Sequence, residues 1–134
     1  MKIVTTSKIR KILKKQWKQL KHIWIFDRKL VLLSSEQINS ILKGIDIYKK
    51  QFKNELFDCD DFALVTNAFV KLKVAELQFP HNWAFGEVSM MHPEIGIHNQ
   101  NIFITEDFEI KLFEPQANKI ILPNKGEIVF YVRI

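Results

Sequence analysis

Apolar residues recur at spacings of three and four through Ile9, Ile12, Leu13, Trp17, Leu20, Ile23 and Trp24, with lysines between them. This predicts an amphipathic helix over residues 7–26, with Ser7 as its N-cap. Asp27 to Leu33 then reads as a turn and a brief extended run. Ser34 and Gln37 stand three apart, the spacing of a capping box, and open a second helix through Ile38, Ile41, Leu42 and Ile45 to about Tyr48, with Gly44 as its weak point. A third helix runs from about Asp58 to Leu77. It carries Cys59, Phe62, Ala63, Val65, Ala68, Phe69, Leu72 and Val74 and is apolar on most sides, the pattern of a central buried helix. After Pro80 the period changes. Residues 83–90, 102–105, 109–113 and 128–134 alternate or are rich in β-branched and aromatic types, which predicts a small antiparallel sheet. Helices followed by strands give the α+β class.

A length of 134 residues suits one domain over 1–134, with a basic helical part over 1–50 and a core over 51–134. A hydrophobic share of 47% argues for a packed globule and against disorder. The net charge of +5 conceals an asymmetry: residues 1–53 hold 14 Lys and Arg against three acids, and residues 54–134 hold six against twelve. In the first helix Lys8, Arg10, Lys11, Lys14, Lys15, Lys18 and Lys21 form one basic face. That face reads as solvated, or as a contact for an acidic protein, a nucleic acid or a membrane surface. With a single cysteine no internal disulfide can form, and the reducing cytoplasm is the expected compartment. No apolar run approaches the roughly 20 residues of a membrane span, and the first residues do not form a secretory leader. Four glycines make no phosphate-binding loop, and His81 and His92, in loops beside prolines, have no zinc-ligand spacing.

The stretch Asp58-Cys59-Asp60-Asp61 places the one cysteine at a helix start, where peptide dipoles and free N–H groups favour thiolate over a thiol of ordinary pKa about 8.5. The three acids oppose that, so an activated sulfur needs a histidinium partner. Of the histidines that follow, His98 begins an extended run and has Glu114 16 residues on, at the end of the next run. Nucleophile, base and base-orienting carboxylate then follow in order as Cys59, His98 and Glu114. Asp58, Asp60 and Asp61 read as helix-capping groups or as the oxygens of a calcium site. Gln116 is a substrate or oxyanion amide or a surface residue, Asn101 a hydrogen-bonder beside His98, and Trp83 a core or cleft-wall residue. Upstream of Cys59 the nearest amides are Gln51 and Asn54.

The string Phe57-Asp58-Cys59-Asp60-Asp61-Phe62-Ala63, His98 with Asn101 three residues on, and Glu114-Pro115-Gln116 together resemble the C-terminal catalytic domain of a mushroom agglutinin and its bacterial and phage-encoded relatives. The likeness covers roughly residues 50 to 120. It implies a papain-like fold and a cysteine peptidase, or related thiol hydrolase, that acts by acyl transfer on a protein or peptide. It also implies calcium dependence, as in the agglutinin, although nothing in the composition requires a cofactor. The agglutinin's sugar-binding domain has no counterpart here. The alternative is a non-catalytic phage or bacterial binding or inhibitor protein that uses the basic first helix, residues 8–21, to contact an acidic protein or nucleic acid.

Overall fold

The computed structural model describes residues 1–53, 57–124 and 126–134. Asn54, an upstream amide named above, lies outside them. The elements in chain order are β1 (Lys2–Thr5), α1 (Thr6–Gln16), β2 (His22–Trp24), β3 (Lys29–Leu32), α2 (Ser35–Leu42), a 3₁₀ turn (Ile47–Lys49), α3 (Cys59–Glu76), β4 (Phe85–His92), β5 (Gly96–Ile104), β6 (Ile110–Glu114), β7 (Lys119–Ile121) and β8 (Val129–Arg133). This is an α+β arrangement, as the pattern implies. Among the described residues no helix is long and apolar enough to cross a membrane.

The main sheet has six strands in the order β2-β8-β4-β5-β6-β7, and β1 pairs with β3 in a separate antiparallel ribbon. The small, wholly antiparallel sheet expected from the sequence is therefore corrected. The sheet is larger and mixed, because β2 runs parallel to β8 with His22 opposite Tyr131 and Trp24 opposite Arg133. Bridges from Val31 to Trp83 and from Leu33 to Thr105 join the ribbon to the sheet.

The first helix is shorter than predicted. Thr5, not Ser7, caps it, its side chain accepting the Lys8 N–H, and it ends at Gln16. Trp17 turns inward and donates its indole N–H to the Asn124 carbonyl at 3.2 Å. Residues 22–24 then alternate exposed, buried, exposed, a period of two that serves a strand. Apolar spacing alone let Ile23 and Trp24 fit a helix; what settles the choice is β8, a partner more than 100 positions away in the chain. The second helix has the expected capping box, with Gln37 N–H on Ser34 Oγ and Ser34 N–H on Gln37 Oε1, but stops at Leu42, two residues before Gly44.

Helix α3 occupies nearly the expected span. It buries only Phe62, Ala63, Thr66, Val70 and Val74, while Leu64 and Leu72 are 50% and 66% exposed, so it packs on one face and is not surrounded. That face lies on β4 and β5. Asn101 Nδ2 donates to the carbonyls of Ala63 in α3 and Gly86 in β4, which shows that the odd-numbered residues of this part of β5 face the helix. Phe85, Phe103 and Trp83 pack together in the core near this junction.

Candidate functional site

Cys59 is the first residue of α3 and is half-buried. Burial raises its pKa most, the backbone N–H of Asn99 lowers it, and the charges of Asp58 and Asp60 raise it further, for a net shift upward from the ordinary 9.0. Dipole stabilisation at the helix start, expected from the sequence, is thus outweighed.

His98 and Glu114 meet across β5 and β6, with His98 Nε2 and Glu114 Oε2 2.5 Å apart. Both are largely buried, and Glu114 Oε1 also accepts the Gln116 backbone N–H at 3.0 Å. Alternation along β5 directs Asn99 and Asn101 toward α3 and His98 and Gln100 away from it. No hydrogen bond joins Cys59 to His98 among the described residues; the sulfur meets the Asn99 backbone instead. His98 and Glu114 pair directly, and Cys59 meets the backbone of the residue next to His98 in β5.

The remaining candidates are accounted for locally. Asn101 is wholly buried and ties α3 to the sheet. Gln116 engages Glu114 through its backbone N–H. Trp83 is 2% exposed and packs against Phe85 and Phe103, the core position of the two readings given for it, and not a substrate contact. His92 is the last residue of β4, its ring 6.1 Å from that of His98, rather than a loop residue.

The ligand atoms of Asp58, Cys59 and Asp60 lie within 4.8 Å of one another. Asp58 Oδ1 is buried without a partner, and the hydrogen bond that protonated Asp60 donates to the Asp58 carboxylate is the main cause that raises the Asp60 pKa. Asp61 is turned back to accept the Asp58 N–H at 3.2 Å. Two carboxylates and one sulfur supply only part of the about six to eight oxygen ligands that calcium takes; backbone or water oxygens would have to complete the shell.

The basic face of α1 is divided in its use. Arg10 donates to the Ile23 carbonyl at 3.0 Å and Lys14 to that of Leu20, so both close the turn after the helix. Lys8, Lys11 and Lys15 instead border an open cleft of about 670 Å³ whose floor includes Ile12, Phe108 and Leu122. None of the three has an acidic partner among the described residues. Phe108 had no signal in the sequence. It sits at a positive φ of 65° beyond the end of β5, with the Lys8 ammonium 4.7 Å from its ring centre.

Among curated proteins none matches the sequence. Two solved structures superpose on 98% of the chain: one titled "PSL1a-E64 complex", with TM-score 0.80 and 23% identity, and the Polyporus squamosus lectin bound to the human-type influenza-binding epitope Neu5Aca2-6Galb1-4GlcNAc, with TM-score 0.81 and 21% identity. At that identity the likeness is one of fold. The chain spans about half the length of these structures, 51% and 49%. A model of the agglutinin C-terminal family matches residues 30–120. The match to the agglutinin C-terminal family overturns the expectation of a papain-like cysteine peptidase or other thiol hydrolase. With residues 30–120 matched, well over half its length, the chain belongs to the agglutinin C-terminal family.

Proposed function

We propose that the domain is a non-catalytic binding module that takes an acidic glycan along the basic face of α1. The carrying observation is the cleft in which the exposed ammonium groups of Lys8, Lys11 and Lys15 surround an apolar floor with Phe108 on it. Three free cations select a carboxylate or sulfate, through charge-assisted hydrogen bonds about twice as strong as neutral ones. The floor receives the apolar face of a sugar ring. A nucleic acid is a poorer fit, since a single aromatic side chain offers no run of stacking platforms. The reading involves no step at Cys59 and no calcium ion.

The test is calorimetric titration of the sialylated trisaccharide Neu5Acα2-6Galβ1-4GlcNAc and of its uncharged disaccharide Galβ1-4GlcNAc. The charged sugar binds, and weakens about tenfold between about 0.05 and about 0.5 M salt, because exposed charges are screened over a shrinking Debye length. The combined Lys8→Glu, Lys11→Glu and Lys15→Glu variant loses binding; Cys59→Ala and EDTA treatment leave it unchanged. Equal affinity for the two sugars, binding that survives the charge reversal, or no binding of the charged sugar would overturn the proposal.

A further inference from the structure

Lys8, Lys11 and Lys15 stand at intervals of three and four residues in α1, which sets them along one side of the helix, within about 60° of arc. At a rise of about 1.5 Å per residue their backbone positions follow one another at about 4.5 and about 6 Å, a row about 10.5 Å long. All three side chains are exposed, and among the described residues none meets an acid. The acid that borders the cleft, Glu109, is engaged by Lys111 at 3.3 Å, so it does not offset the row. The cleft's volume of about 670 Å³ lies within the roughly 300–1,000 Å³ of sites for drug-sized ligands, more than one sugar ring needs.

We propose that the ligand of the basic cleft is a linear polyanionic glycan, with a carboxylate or sulfate on each of two or three successive sugars laid along α1. This rests on the acidic-glycan reading and adds the number and spacing of the charges. One anionic group does not satisfy the row. Three ammonium groups drawn onto a single carboxylate would crowd like charges within a few ångström of one another, whereas at the spacing of the helix each meets an anion of its own. Lys8 is in addition held at its end of the row, with its ammonium 4.7 Å from the centre of the Phe108 ring. The rings that link the anionic groups then pass over Ile12 and along the apolar wall of Phe108, Ile110 and Leu122. A glycan with one acidic sugar engages one lysine and leaves the other two in water.

The probes are Neu5Ac and its α2-8-linked dimer and trimer, which carry one, two and three carboxylates on successive sugars, each titrated into the chain by calorimetry. Each added sugar tightens binding about fivefold, the upper value for one exposed ion pair, so the trimer gains about 25-fold over the monomer. Three equivalent carboxylates that bind one at a time would gain only threefold. Raising the salt from about 0.05 to about 0.5 M weakens the trimer about a hundredfold or more, against about tenfold for one charge, because every ion pair is screened. Lys8→Gln and Lys15→Gln, exposed changes to a good helix former, each weaken the trimer about fivefold and the monomer only by the loss of one site in three, about 1.5-fold. A trimer no more than threefold tighter than the monomer, equal salt dependence of the two, or end-lysine variants that weaken both alike would overturn the proposal. Any of these, with Neu5Acα2-6Galβ1-4GlcNAc still bound, leaves the acidic-glycan reading standing, whereas failure of every acidic sugar to bind overturns both.

Discussion

Replacing Asn101 by alanine should uncouple α3 from the sheet. Nδ2 of this wholly buried residue donates to Ala63 O at 2.8 Å and to Gly86 O at 3.0 Å, so one amide joins the helix to β4 from its place on β5. Asn101→Ala removes both bonds, each worth about 1 kcal/mol net, and leaves two buried carbonyls short of a donor. The space vacated by the amide adds about 1 kcal/mol. Loss of the buried, unpartnered Oδ1 returns part of this, so the net destabilisation is about 2–3 kcal/mol, a large share of a typical domain's stability. Urea unfolding followed by tryptophan fluorescence and far-UV circular dichroism measures it. With a slope near 2 kcal/mol per molar, the midpoint falls by about 1–1.5 M. Asn101→Asp, whose carboxylate would face two carbonyl oxygens with nothing to donate, falls further. A midpoint drop below about 0.3 M for alanine, or an aspartate variant as stable as the wild type, would refute the claim that this amide holds the two layers together.

At Gly86 an added Cβ would meet the Arg133 carbonyl oxygen at 1.9 Å and Ile134 Cα at 2.8 Å, so Gly86→Ala must displace the end of β8; the melting temperature is expected to fall by about 10 °C or more, and a fall within about 2 °C would contradict the packing. Cys59 should react with iodoacetamide along a pH profile displaced to higher pH than that of a free thiol, and His98→Ala should not change it; fast labelling at neutral pH that depends on His98 would refute the protonated-thiol environment. Burial raises the Glu127 pKa above its ordinary 4.5, so the folded chain holds that proton more tightly than the unfolded one, and the resulting stability is full below 4.5 and lost as pH rises through the folded value. Glu127→Gln is therefore expected to stabilise the fold at neutral pH and to bring no gain below 4.5; equal gains in the two ranges, read from urea midpoints, would contradict the assignment.

What the chain announced locally, it formed locally. The Ser34–Gln37 capping box, the long run of α3 and four of the later strands arise from signals within a few residues of where they act, caps and apolar periodicity, which need no distant partner to be read. His98 and Glu114 were also legible as a pair, because adjacent antiparallel strands bring together residues on either side of a short turn. Tertiary structure decided the rest. Residues 22–24 became a strand through β8, the short β1 and β7 through β3 and β6, and none of these pairings is encoded near the residues that make them. At Cys59 the opposition of Asp58 and Asp60 to the helix dipole was legible in the sequence, whereas burial, the largest cause of the raised pKa, came only with the fold. Burial and the distance between charges are sums over neighbours remote in sequence. A linear pattern can therefore name the groups of a site, while only the fold determines which of them meet and in what protonation state.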